Sequence, residues 1–177
     1  MLEHIRSKPL AIIMTCIALF QSDMLLAAQV AARHTEGVVH GFLLLSTLEG
    51  KPLADGDSVQ VSRGNRVTSH LVFRFKDGSV YDETAVFSQR GNFRLLSYHL
   101  VQKGPAFHSP MEVSIDTSSD QVTICYTDDE GKEKTATDRM KFQPNLANGM
   151  IFTLLKNVRP DGPTTMSMVA ATRSRAS

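Results

Sequence analysis

The side chains best able to do chemistry in this sequence are its histidines and carboxylates. His40, His70 and His99 fall on separate apolar-alternating segments, with His108 just beyond the last of them. Imidazoles brought together from neighbouring strands could hold a metal ion with an open fourth position. Yet the chain has no His-x-His, no HExxH and no Cys/His pairing that would put two ligands on one face. His40, His70 and His99 therefore stand as metal candidates on strand placement alone, beside the plainer reading of solvated or hydrogen-bonded histidines. No cofactor is implied.

Acids and bases crowd into FRFKDGSVYDETAVFSQRGNFRLL, Phe73 to Leu96. The DGSVYDE run fails the calcium-loop pattern, which wants oxygen ligands at alternate positions and glycine at the sixth, where Asp82 stands. Asp82 and Glu83 are adjacent, so on a strand they point to opposite faces and form no paired-carboxylate site. DDEG, Asp128 to Gly131, reads as a hairpin tip with solvated acids. No G-x-S-x-G elbow, no S-x-x-K set and no phosphate-binding glycine loop occurs. Cys125 has no His or Lys on its own strand to lower its pKa. A hydrolase or metal-dependent enzyme would need His70, His99 and an acid to converge from different strands. The sequence leans away from an enzyme.

The elements that must position these residues are written mostly in strand language. The chain has 177 residues and 42% hydrophobic content, enough for one domain with its own core. With 19 Lys+Arg against 18 Asp+Glu, it lacks the charge of a nucleic-acid surface. A first strand is read around Val38 to Thr47, followed by a Gly/Pro/Asp loop in LEGKPLADGDS. SVQVSR and RVTSHLVFRF then alternate; Val67, Leu71, Phe73 and Phe75 share one face, Thr68, His70 and Arg74 the other. KDG and RGN mark tight turns around SVYDETAVFSQR, and FRLLSYHLVQK follows. MEVSIDTS, QVTICYT and KEKTATDRMKF continue at roughly 10-residue spacing, as in an antiparallel meander.

The pattern breaks after Phe142. In PNLANGMIFTLLKNV, residues Leu146, Met150, Ile151, Leu154, Leu155 and Val158 recur at helical spacing, predicting an amphipathic helix over 144–158. Its apolar stripe needs a sheet face to lie on. The segment from Thr164 starts like a strand and ends in a small basic tail. A final edge strand with a frayed end and a truncated chain both fit 164–177.

The N-terminal residues differ from the rest. MLEHIRSK is positive at Arg6 and Lys8, PLAIIMTCIALF is apolar, and QSDMLLAAQVAA ends in small residues. This predicts a signal peptide over 1–32, with Val30 and Ala32 suiting the positions before a cut at Arg33. A retained membrane anchor is the alternative, but Gln21-Ser22-Asp23 breaks the run short of the about 20 apolar residues a span needs. Removing the leader would take Cys16 and leave Cys125 as the remaining cysteine of two, without an intramolecular disulfide. Membrane contact is expected through this N-terminal segment alone.

The strands flanking RGN are apolar on both faces. Val80, Thr84 and Val86 oppose Tyr81, Ala85 and Phe87; Phe93, Leu95 and Val101 oppose Leu96, Tyr98 and Leu100. A one-sided sheet would be polar on one face, so something is expected to cover both.

FRFKDGS, DETAVFSQRGNFRL and KGPAF, followed by a meander and LANGMIFTLL, resemble exported bacterial proteins of unknown function. The layout from Gly37 to Val158 is similar to the curved, open antiparallel sheet with covering helices of periplasmic lipoprotein carriers. That resemblance implies a concave apolar face holding a lipid-like group, and it brings no catalytic residue. Longer members of such a class continue the sheet after the helix.

The expectation is thus an exported, periplasmic or extracellular, mainly β protein. It is a curved antiparallel meander, open or half-barrel, over 33–163 with one amphipathic helix. The leading function is non-enzymatic binding of an apolar small molecule or lipid. Phe73, Phe75, Phe87, Tyr98, Leu100, Met150 and Phe152 are the candidate ligand face, and core packing is the plain alternative for each. A structural module pairing through its C-terminal sheet edge is the further alternative.

Overall fold

A computed structural model describes residues 29–128, 130–160 and 165–170. The predicted leader up to residue 28, and residue 164 with 171–177 of the predicted terminal segment, lie outside the described residues. The fold is mainly β. Strands β1 (Val39–Ser46), β2 (Pro52–Arg63), β3 (Arg66–Phe75), β4 (Val80–Ser88), β5 (Arg94–Lys103), β6 (Met111–Asp116), β7 (Gln121–Thr127) and β8 (Glu133–Arg139) precede one short helix, α1 (Ile151–Asn157). The strands form one unclosed antiparallel sheet in the order β1-β2-β3-β4-β5-β6-β7-β8. Every strand therefore pairs with its sequence neighbour, as hairpin connections require.

The turns follow from local chemistry. After β3, Gly78 takes φ 85°, and the Ser79 backbone N–H donates to Asp77 Oδ1 at 2.9 Å. That bond holds the exposed Asp77 carboxyl below its ordinary pKa. Gly91, at φ 74°, makes the RGN turn between β4 and β5. Both conformations are open to glycine at little steric cost.

Two segments depart from the sequence reading. LADGD is not a loop: β2 begins at Pro52 and runs through it, leaving only residues 47–51 for the turn. Asp55 and Asp57 face away from the core, so their charges do not oppose a strand there. Gly56 fits because a Cβ at this position would lie 2.5 Å from Phe73 Cε1 and 2.9 Å from Leu43 Cβ. Opposed Cβ atoms in an ordinary sheet stand about 4.5–5.5 Å apart, so β1 and β2 bend toward each other on this face.

The predicted helix is also shorter. Residues 144–150 form turns, and α1 begins at Ile151. Gly149 has φ 67°, which stops any helix before it, and a Cβ at this position would lie 2.6 Å from Ala85 Cβ, so only glycine lets the turn pack this closely on β4. Residues 165–170 make a single parallel bridge, Leu146 to Ser167, rather than a strand.

One sheet face, here called the inner face, carries the core. Val67, Ala85, Phe87, Leu95, Tyr98, Ile115 and Val122 are buried on it against Val30, Leu146, Ala147, Met150 and Leu154. A register shift beside Phe87 aligns Leu95 with Phe87 and Tyr98 with Ala85, so Leu95 and Tyr98 share this face despite their odd spacing. Strict alternation had set them apart. Residues 29–36 lie on the same face: Ala31 bridges Asn92, and the Phe93 N–H donates to the Val30 carbonyl at 2.9 Å.

Buried polar groups tie these coverings down. The Glu36 side chain is 5% exposed; Gln60 Nε2 donates to its Oε2 at 2.6 Å, and Lys156 Nζ reaches Oε1 at 2.7 Å. Asn157 Oδ1 accepts the backbone N–H groups of Arg33 and His34 at 3.0 and 2.8 Å. Gln89 holds the Glu36 backbone from the other side, its Oε1 accepting the Glu36 N–H at 2.6 Å. The helix and the N-terminal segment are thus joined to each other as well as to the sheet.

Candidate functional site

Strand register sorts the inner face into rows of cross-strand neighbours. One row runs Val39, Gln60, Ser69, Ala85, Tyr98, Ile115, Val122, and the turn before α1 lies across its centre. The next runs Gly41, Ser58, Leu71, Glu83, Leu100, Val113, Ile124. The third runs Leu43, Gly56, Phe73, Tyr81, Gln102, Met111, Tyr126. These two rows reach beyond the core cluster, and Leu43, Leu71, Phe73, Tyr81 and Leu100 remain only partly buried. They form an apolar strip along the sheet.

The strip has two walls. Along one side, a row beyond Phe73, Phe75 meets Phe107 edge-on, with ring centroids 5.4 Å apart. Phe107 is set there by the loop after β5, where buried Ser79 Oγ accepts the Ala106 N–H at 2.8 Å. At the β1 end, Phe152 projects from α1, 65% exposed, over Gly41, Leu43 and Ser58. The groove there has a volume of about 200 Å³. A larger cleft, about 280 Å³, opens between Arg94, Thr117, Asp120 and residues 142–146. Its walls mix Leu95, Phe142 and Leu146 with Gln29, Arg94 and Asp120, and they include no residue of the strip.

The strip has one charged group. Glu83 lies between Leu71 and Leu100 in the register. Tyr81 and Tyr98 both donate to its Oε2, at 2.5 and 3.0 Å. Burial, then the nearby Glu83 carboxylate, pushes both phenols well above the ordinary tyrosine value. The arrangement fixes a carboxylate in an apolar setting, where two hydrogen bonds offset part of its desolvation. The group offers a fixed polar anchor on the strip.

The proposed ligand-face residues divide accordingly. Phe73 and Leu100 lie on the partly uncovered strip, and Phe75 borders it. Phe87 and Met150 are 0% and 1% exposed and belong to the core. Tyr98 is buried but joins the two parts through its hydroxyl. Phe152 stands over the groove rather than on the sheet. Leu155, assigned by periodicity to the buried stripe, is instead 61% exposed.

The histidines occupy the opposite, outer face. His40, His70 and His99 lie in one cross-strand row, each separated from the next by a strand, in the series His40, Val59, His70, Thr84, His99. Neighbouring strands are about 4.8 Å apart, so successive histidines are displaced by roughly 10 Å at the backbone and form a line. Each has a carboxylate of its own: His40 with Asp57 at 3.1 Å, His70 with Asp82 at 2.8 Å, and His99 with Glu112 at 3.7 Å. Among the described residues no group of three or more His, Cys, Asp or Glu is placed to share a metal ion. On this face Val72 is buried beside Asp57 and Asp82, while Val59, Val80 and Val101 are shielded in part. The helix and N-terminal segment cover the inner face alone. No helix among the described residues is long and apolar enough to cross a membrane.

Comparison with protein-family models, curated proteins and solved structures returned no match for this chain.

Proposed function

We propose that this chain is a non-enzymatic, exported binding protein that holds a lipid-like apolar molecule along the inner sheet face. The observation that carries this reading is the partly uncovered strip of Leu43, Leu71, Phe73 and Leu100 beside the groove under Phe152. A strip continuous with a packed core is preformed, and the groove beside it sets Val39, Gly41, Leu43 and Phe152 against Ser58, Gln60, Ser69, Thr153 and Lys156, so a molecule with both an apolar and a polar part suits it. The groove is smaller than the about 300–1,000 Å³ typical of drug-sized sites, which favours a slender occupant such as an acyl chain. Glu83, held by Tyr81 and Tyr98, supplies the polar landmark along that path. Export rests on the leader-like composition of the N-terminal segment.

Native mass spectrometry and thermal unfolding with a panel of fatty acids and phospholipids test the proposal. A ligand at about 100 times its Kd adds roughly 2.7 kcal/mol of stability, and Leu100→Glu should abolish that gain. Protein without adducts, and a Tm unmoved across the panel, would overturn the reading.

A further inference from the structure

Among the described residues the sheet has two unpaired edges, and they are built differently. At one edge β8 is fully exposed and carries Glu133, Lys134, Asp138 and Arg139. Charges on an exposed edge oppose the addition of another strand. At the other edge β1 reads VHGFLLLS, without Lys, Arg, Asp, Glu or Pro. Among the described residues nothing pairs with its outer side. Its side chains are also exposed: Val39 by 49%, Phe42 by 81% and Leu44 by 62%. Phe42 and Leu44 lie on the outer face with His40, whose ring is 4.7 Å from that of Phe42. A long, uncharged, apolar edge strand is a template for pairing.

We infer that β1 is a self-association edge, and that its partner is β1 of a second copy of this chain in antiparallel pairing. The chemistry of the strand selects that occupant. A partner must be apolar on both faces to match Leu43 and Leu45 on one side and Phe42 and Leu44 on the other. β1 meets this requirement itself. A two-fold axis through Leu43 sets Phe42 across from Leu44 of the second copy, and Leu44 across from its Phe42. The same axis sets Gly41 across from Leu45 and opposes no like charges. Pairing β1 with β8 would instead lay these apolar groups against charged residues and generate an open chain of molecules rather than a closed dimer. Antiparallel addition keeps the faces aligned. The inner faces of both copies then join at Gly41 and Leu43, residues that also line the groove.

Sedimentation velocity of the full 177-residue chain without ligand, over a concentration series, tests this directly. The expected result is a species of twice the 19.5 kDa chain mass that dissociates on dilution. Phe42→Lys with Leu44→Lys should leave a monomer at every concentration, with the Tm of the dissociated wild type, because both side chains are exposed. Phe42→Ser alone should raise the dimer dissociation constant at least tenfold, as a milder variant that keeps the fold. Thr137→Lys, on the β8 edge, should leave the dimer intact. A wild-type chain that stays monomeric throughout overturns the inference. So does association that survives the Phe42 and Leu44 substitutions, or that is lost with Thr137→Lys.

Discussion

Alkaline pH is a direct probe of the Glu83 group. Ionising Tyr81 or Tyr98 would place a second negative charge beside a carboxylate in a largely buried setting, so both folded-state values lie above the ordinary one of about 10. Between the unfolded and folded values, the unfolded chain releases a phenol proton that the folded chain keeps. The unfolded state then binds fewer protons, so stability is full below about pH 10 and falls as pH rises further. One withheld proton corresponds to about 1.4 kcal/mol per pH unit. Tyr98 is 6% exposed and should approach that slope. Tyr81 is more open to solvent, and screening reduces its share to roughly half. Together they should cost about 1.5 kcal/mol between roughly pH 10 and pH 11, because the unfolded phenols are only half ionised at the start of that interval. The assay is urea unfolding at a series of pH values in a Tyr126→Phe background, with tyrosinate absorbance recorded in parallel. Adding Tyr81→Phe and Tyr98→Phe should remove this part of the pH slope, while lysines and arginines contribute equally to both chains. Equal slopes in the two chains, or tyrosinate forming near about pH 10 with the sheet intact, would refute the reasoning.

Two further expectations concern packing. Gly56→Ala should destabilise the fold by about 1–3 kcal/mol through overpacking against Phe73 and Leu43, although alanine normally improves on glycine in a strand interior by roughly 0.5–1 kcal/mol; chemical denaturation decides the sign. A chain beginning at Arg33 should be less stable than one beginning at Gln29 by about 2 kcal/mol or more, from the buried Val30 side chain alone. Equal midpoints would show that Val30 and Ala31 contribute nothing.

The turns and most strands were legible because they depend on short-range chemistry. Asp77-Gly78 and Arg90-Gly91-Asn92 specify their turns within a few residues, and alternation from Val67 to Phe75 sorts that strand's faces correctly. Helical spacing from Leu146 to Val158 gave no sign of the boundary at Gly149, which its φ of 67° imposes. LADGD was misleading since its turn-forming residues serve a strand: Gly56 makes room for Phe73, and Asp57 pairs with His40. The Glu83 group had a signal of its own. Tyr81 and Glu83 are two residues apart and must share a face on a strand, whereas the adjacent Asp82 draws attention to charge instead. The Glu36 network could not be read in advance, because Lys156 lies 120 positions away from Glu36 and only the fold joins them.

The strand order has a consequence for biosynthesis. Because each strand pairs with the one before it, the sheet can lengthen hairpin by hairpin as the chain emerges, with little entropy lost to closing long loops. Its inner face cannot be sealed at the same pace. Met150, Leu154 and the Asn157 bonds to Arg33 and His34 come from residues made after all eight strands. Until then Phe87, Leu95 and Ile115 stand on a sheet that is paired but not sealed, an aggregation-prone intermediate. Interruption of translation before residue 150 would leave the molecule arrested in that state, so the short C-terminal helix acts as the completion step for a sheet assembled well before it.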